Sequence, residues 1–191
     1  MTRAQLDLFQ ADTTLPQGLR YQPELISPAE EARLLEAIAD LPFKPFEFHG
    51  YLGKRRVVAF GWRYDYSARA VGEAAPIPDF LLPLRERVAA FAELPAAELR
   101  QAMVTEYAPG AGIGWHRDKP MFGEVIGVSL LSSCNLRFRR ASGDGWERRG
   151  LNPAPRSAYL LQGPARSEWQ HSIPGVASRR YSVTFRRYLG H

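Results

Sequence analysis

Cysteine is almost missing from this chain. Cys134 is the one cysteine among 191 residues, which excludes an internal disulfide and a zinc site built on cysteine. It sits in an apolar, strand-like run, where a buried structural thiol is the simplest expectation. Long apolar stretches are missing too: nothing approaches the roughly 18 residues needed to span a bilayer. The N-terminus lacks a basic-then-apolar leader, because Leu6, Leu8 and Phe9 alternate with polar residues. These absences point to a cytosolic protein that does not meet a membrane. Lysine is scarce, with only Lys44, Lys54 and Lys119, so positive charge is carried by arginine.

What remains is an ordinary globular composition, 45% hydrophobic and 24% charged, in a chain long enough for one domain with a real core and short for two. A monomer is expected. The charge is uneven. Residues 131–191 hold 11 arginines against Asp144, Glu147 and Glu168, whereas residues 1–130 are slightly acidic. Guanidinium forks match phosphate and carboxylate, so the basic end suggests a polyanionic partner such as nucleic acid. Arginine-rich genomic coding explains the same count without a partner.

Residues 1–20 are weakly patterned and read as a tail; residues 21–191 read as one domain. Ser27-Pro28-Ala29-Glu30 is a helix start with a capping box, and Leu34, Ile38 and Leu41 follow at helical spacing until Pro42. A second helix is expected over about Asp79 to Glu93, with Leu84, Val88 and Phe91 on one face and Pro83 in its first turns. Between them, residues 43–70 are aromatic and basic, with short strands expected at Val57–Phe60 and Arg63–Tyr66. After Pro95 come short β-rich runs at Met103–Tyr107, Val125–Leu131, Asn135–Arg139, Ala158–Gln162 and Tyr181–Arg186, separated by Gly, Pro and Ser clusters. The expected architecture is mainly β with N-terminal α: helices packed on a jelly-roll core over residues 100–188.

His116-Arg117-Asp118 follows the turn-forming Pro109-Gly110-Ala111-Gly112. On a strand, the period of two would put His116 and Asp118 on one face. Two imidazoles and a carboxylate on one face of an octahedron leave three open positions, the arrangement of non-haem iron(II) oxygenases. His171 is the candidate third ligand, since His49 precedes the barrel and His191 is terminal. Alone, the pair reads equally as a surface accident.

The run Arg180-Tyr181-Ser182-Val183-Thr184-Phe185-Arg186 puts residues 180, 182, 184 and 186 on one face. Buried arginines there need an anion. A dicarboxylate such as 2-oxoglutarate would serve, with the Tyr107 hydroxyl on the same carboxylate; a solvated strand edge is the alternative.

The ordered set Tyr107-Ala108-Pro109-Gly110, His116-x-Asp118, His171 and Arg180-x5-Arg186, with Thr184-Phe185 before the second arginine, resembles the AlkB family of iron(II)- and 2-oxoglutarate-dependent dioxygenases. The resemblance implies a double-stranded β-helix preceded by a nucleotide-recognition lid (residues 43–70). It implies His116, Asp118 and His171 as catalytic iron ligands. Thr105, Tyr107, Arg180, Ser182 and Arg186 would bind the cosubstrate, Arg180 at its distal carboxylate and Arg186 towards the metal. Dioxygen completes the set of cofactors. Thr105 and Ser182 depart from the family's usual Asn at both positions and have less reach. Pro120 stands where DNA-repair members carry an acidic reader of the base.

The implied reaction is oxidative dealkylation of N-alkylated bases, of the 1-methyladenine and 3-methylcytosine type, in DNA or also in RNA. Such a base must leave the stack. His116 would be one wall of its pocket. The substrate residues expected in the lid are Tyr51, Lys54, Arg55, Arg56, Trp62, Tyr64 and Tyr66, with Tyr64 and Tyr66 stacking, the basic run holding phosphates, and Tyr51 or His49 wedging into the gap. Core aromatics and a solvated turn are the plainer reading of the same residues. Residues 55–66 also look like family members that modify transfer RNA, so transfer RNA or protein is the alternative substrate. In the tail, Gln5-Leu6-Asp7-Leu8-Phe9 resembles the peptide that docks on the bacterial DNA sliding clamp, with Leu8 and Phe9 as anchors or, alternatively, packed on this domain.

Overall fold

The computed structural model describes residues 15–48, 51–65 and 70–190; for residues 47, 48, 51, 52, 63–65, 70, 71 and 73 it describes the backbone alone. Strand β1 (Leu19–Gln22) precedes helix α1 (Pro28–Ala39), then come β2 (Lys44–Phe48), β3 (Tyr51–Asp65) and β4 (Ala70–Glu73). Helix α2 (Leu82–Ala92) leads into β5 (Leu99–Tyr107), β6 (Ile113–His116), β7 (Phe122–Leu130), β8 (Leu136–Ser142), β9 (Gly145–Leu151) and β10 (Ala158–Leu161). A short helix α3 (Gly163–Ser167), β11 (Gln170–Ile173) and β12 (Arg180–Tyr188) complete the order. None of the described helices is long and apolar enough to cross a membrane.

The strands form two antiparallel sheets, the facing layers of a jelly roll. The major sheet runs β1-β10-β7-β12-β5-β3-β2, with β4 on β3; the minor sheet runs β6-β11-β8-β9. Strand β12 is central and divides its side chains cleanly. Val183 and Phe185 join Val104, Ile126, Val128 and Leu160 against the helices, in a core completed by Leu34, Ile38, Leu84 and Val88. Arg180, Ser182 and Thr184 are buried on the other face. That face looks towards the minor sheet, and the site is built there.

Helix α1 starts as expected. Ser27 Oγ accepts from the Glu30 N–H, and Glu30 Oε2 accepts from the Ser27 N–H, a reciprocal box worth about 1 kcal/mol. Glu30 also pairs with Arg87 of α2, tying the two helices together.

Several boundaries differ from expectation, and four of these differences bear on the architecture. The second helix begins with a 3-10 turn at Asp79–Leu81, and only then does α2 start, with Pro83 in its first turn. The two short strands expected over residues 57–66 are one 15-residue strand, β3. It survives the interruption at Gly61 because φ is +74° there and a Cβ would lie 1.9 Å from the Arg100 carbonyl oxygen. Only glycine fits that approach. The tail expected to reach residue 20 is shorter, since Leu19 already pairs with Leu161. Finally, β6 ends at His116, so Asp118 lies beyond the strand and the two-residue period does not place it. The clamp-like segment Gln5–Phe9, together with His49, Tyr66 and His191, lies outside the described residues.

Candidate active site

Strands β6 and β11 pair so that His116 and His171 are direct cross-strand partners, with ring centroids 4.2 Å apart. Such neighbours face the same side of a sheet. Asp118 is brought in from the following loop by Arg186, whose Nε donates to Asp118 Oδ1 at 2.7 Å. This leaves Oδ2, which lies 3.7 Å from His171 Nε2. One ligand atom from each of the three residues falls within 4.8 Å of the others.

The protonation states suit a cation. The Nδ1–H of His116 donates to the Gly114 carbonyl at 2.8 Å; a carbonyl only accepts, so Nε2 keeps its lone pair. Burial lowers the pKa of His116, against the pull of Asp118. Burial, with His116 close by, pushes His171 down to about 3. Burial would raise Asp118, but Arg186 and the two histidines hold its carboxyl well below the usual carboxylate range. Two neutral imidazoles and one carboxylate therefore converge on a point at neutral pH.

The anion end lies on the inner face of the major sheet. Register pairs Arg180 with Tyr107 and Ser182 with Thr105 across β12 and β5, and Ser182 with Ser129 across β7. The Arg180 guanidinium is completely buried. Its Nε donates to Ser129 Oγ at 3.2 Å, and it lies 5.2 Å from the Tyr107 ring centre. Both Nη atoms are buried without a hydrogen-bond partner. A buried cation with two idle donors is costly unless an anion completes it. The two idle Nη groups match the fork geometry of a carboxylate. The site thus fits a metal chelator with a distal carboxylate, and 2-oxoglutarate is such a molecule.

Three contributors escaped the sequence reading. Ser129 holds Arg180. Tyr159 is buried, and burial raises its phenol well above the usual range although Arg180 opposes this; it stays a protonated donor. Its place depends on its register partner Gly127, where a Cβ would lie 2.2 Å from Tyr159 Cζ. The third is Arg166 of α3, which donates to the carbonyls of Lys119 (2.6 Å), Phe122 (2.7 Å) and Gly123 (3.0 Å). It pins the turn that follows Asp118. Cys134 is buried, as expected.

A family model described as the 2OG-Fe(II) oxygenase superfamily matches residues 18–186. The chain belongs to the 2OG-Fe(II) oxygenase superfamily. The oxygenase is 29% identical, over 97% of its length, to the Alkylated DNA repair protein ALKBH8 homolog of Arabidopsis thaliana. It is 30% identical, over 88% of its length, to the tRNA (carboxymethyluridine(34)-5-O)-methyltransferase ALKBH8 of Mus musculus, and 28% identical, over 63%, to the Probable RNA/DNA demethylase ALKBH6 of Danio rerio. These relatives place it in the AlkB family. The chain spans only 62%, 26% and 49% of them, respectively. In fold it is similar to the solved structure of OsALKBH1, with a TM-score of 0.68 at 15% identity, covering 91% of this chain and 98% of that one. Residues 18–186 are thus a 2-oxoglutarate-dependent dioxygenase domain, for which iron(II), 2-oxoglutarate and dioxygen are the implied cofactors.

The residues expected in the lid are scattered by comparison. Arg55 lies over the Phe46 ring at 3.8 Å, close enough for its charge to help lower the pKa of His116. Lys54 is exposed. Trp62 stacks on Tyr188 at 4.7 Å. Arg56 is not brought to the site: its Nε donates to Glu106 Oε2 at 2.5 Å. Glu106 lies between Thr105 and Tyr107 on β5, so it faces the helices rather than the barrel interior. Arg56 is thus engaged by an ion pair on that face. For Tyr51 and Tyr64 only the backbone of β3 is described.

Proposed function

We propose that this oxygenase removes alkyl groups from the bases of nucleic acid, with His116, Asp118 and His171 as the iron ligands. In this reading Arg180, Tyr107, Tyr159 and Ser129 receive the distal carboxylate of 2-oxoglutarate, while Thr105 and Ser182 line its path. The carrying observation is the pair of unpartnered, buried Nη atoms of Arg180 on the strand whose other arginine, Arg186, holds Asp118 of the His-Asp-His cluster. Bound iron with 2-oxoglutarate and dioxygen supplies a two-electron oxidation of a C–H bond, releasing succinate and carbon dioxide. One oxygen atom enters succinate and the other becomes the hydroxyl of an N-hydroxymethyl base. That hemiaminal loses its hydroxyl proton and its C–N bond, giving formaldehyde and the N–H base.

The chain's own groups orient and protect this chemistry. Arg186 holds Oδ1 of Asp118, so a single carboxylate oxygen is presented. Gly114 fixes the His116 tautomer. Lys54 and Arg55 are assigned the phosphate contacts, and Trp62, Tyr51, Tyr64 and Tyr66 the aromatic contacts with the base.

N-alkylated DNA of the 1-methyladenine and 3-methylcytosine type is the leading substrate. Transfer RNA is the second reading. It is favoured by Pro120, which offers no acidic reader for the base, and by the likeness to a protein named for transfer-RNA modification. The test is aerobic incubation with 2-oxoglutarate and iron(II), followed by mass spectrometry of alkylated DNA oligonucleotides and transfer RNA in parallel. Loss of the alkyl mass from either, abolished in His116→Ala, supports the reading. Succinate release that no nucleic acid stimulates refutes it.

A further inference from the structure

The minor sheet has a second face, opposite the metal residues, and its chemistry is unusual. Cross-strand partners share a face, so the pairs Arg137–Ser172, Arg139–Gln170, Arg139–Arg148 and Ala141–Trp146 all lie together. Trp115, the strand neighbour of His116, joins them. The Arg137 guanidinium lies 5.1 Å and that of Arg139 4.5 Å from the Trp115 ring centre, and Arg139 is also 4.1 Å from Trp146. A ladder of alternating cation and indole therefore crosses the sheet from β6 to β9. At about 4.8 Å per strand this is about 14 Å.

The ladder lacks counter-charge. No strand residue on this face is acidic, and Asp144 lies in the turn at the hairpin tip. Arg137 Nε donates to Ser172 Oγ and Arg139 Nε to Gln170 Oε1, both neutral acceptors. Among the described residues none of Arg137, Arg139 and Arg148 has a carboxylate partner. The inner face of the same hairpin is the opposite case. There Arg140 pairs with Glu147 and Glu168, and Arg149 with Glu147. One face of a two-stranded hairpin is neutralised and the other is left cationic, with Trp146 43% exposed beside it. Indoles held between guanidiniums present flat faces for bases and fixed charges for phosphates.

We infer that the outer face of the minor sheet is a second nucleic-acid contact surface, which grips a single-stranded segment of the substrate outside the catalytic pocket. The inference rests on the reading that the substrate is nucleic acid. It adds a binding site that neither the lid nor the metal cluster supplies. Arg139 and Trp115 form the fixed platform, Trp146 stacks a base, and Arg148 takes a phosphate. Because His116 and Trp115 are adjacent on edge strand β6, a strand leaving the pocket reaches this face by rounding one sheet edge.

The test uses the full chain loaded with manganese(II) and 2-oxoglutarate without oxygen, and a fluorescein-labelled, unmodified 12-nucleotide single-stranded DNA. Anisotropy is read across a salt titration. Arg148→Glu is expected to weaken binding about tenfold and to flatten the logarithmic salt slope by about 0.7 for each phosphate that is no longer neutralised. Trp146→Ala is expected to weaken it by a similar factor with an unchanged slope. Both variants should keep wild-type melting temperature and 2-oxoglutarate affinity, since neither residue touches the core or the site. Wild-type binding that both variants retain overturns the inference and leaves the proposed function standing. Variants that aggregate but keep oligonucleotide affinity also overturn it, since the arginines would then be guarding an edge strand. Loss of binding to phosphatidylserine vesicles without loss of DNA binding overturns it in favour of a lipid surface. A wild-type chain that binds neither DNA nor transfer RNA overturns both readings together.

Discussion

Replacing Arg180 by methionine tests the cosubstrate site most directly. The side chain is fully buried, and only Nε is satisfied, by Ser129; both Nη groups are idle. Without 2-oxoglutarate the charge is uncompensated, so an apolar side chain of similar volume should leave stability unchanged or raise it by about 1–4 kcal/mol. With 2-oxoglutarate the order reverses. Two charge-assisted hydrogen bonds at about 1.5–3 kcal/mol each amount to at least a hundredfold in affinity. Saturation at about 100 times Kd stabilises the wild type by about 2.7 kcal/mol. In a chain of this length that raises Tm by about 5–10 °C. The assay is differential scanning fluorimetry with and without 2-oxoglutarate, anaerobically and with manganese(II), alongside calorimetric titration. Arg180→Met should show no ligand-induced shift and an undiminished Tm when unliganded. A retained shift, or a variant that loses several degrees without ligand, would refute the reasoning.

Three further predictions concern supporting residues. Gly127→Ala should displace the Tyr159 phenol and lower stability by about 1–3 kcal/mol, read by urea denaturation, with weaker 2-oxoglutarate binding; wild-type values for both would show that the phenol has room to move. Arg166→Met strips three carbonyls of their donor and should lower manganese(II) affinity about tenfold by freeing the turn after Asp118, with Arg180-dependent anion binding intact; equal loss at both ends would argue for general unfolding instead. Glu106 is held below its usual pKa, first by its hydrogen bond to Arg56. Its contribution to stability is therefore complete above the unfolded carboxylate value and disappears as pH falls through the lower folded value. Glu106→Gln should flatten the stability profile below about pH 5, and an unchanged acid limb would exclude the pair as a source.

The strands that carry the cosubstrate residues were legible because alternation is steep there. From Arg180 to Phe185 each polar residue is followed by an apolar or aromatic one, and β12 was placed within two residues of its ends, whereas only the second half of β5 was expected. The capping box at Ser27 and Glu30 was equally plain. Tyr159 carried no mark. Its strand, Ala-Tyr-Leu-Leu, is buried throughout, and only register against Gly127 turns the phenol towards Arg180. Asp118 was found by spacing for the wrong reason: an arginine 68 residues away, not strand period, aims its carboxylate. The Arg56–Glu106 pair was not legible, because a basic run gives no sign of which member meets an acid across the sheet. The outer ladder was hidden for a similar reason. Trp115, Arg139 and Trp146 come from three strands, and only β-pairing brings them together.

Strand β12 is held on both sides, by β5 and by β7, and its two faces have incompatible tasks. One interlocks with hydrocarbon and the other holds two arginines of the reaction chamber. Slipping the strand by one residue would drive guanidinium groups among Ile126, Val128 and Leu160 and turn Phe185 towards the metal. Such a chain would lose its core and its chemistry in the same step. This stretch therefore tolerates no change of length. Variation must proceed by substitution, one face at a time, and loss of function by slippage cannot leave a stably folded, inactive shell behind.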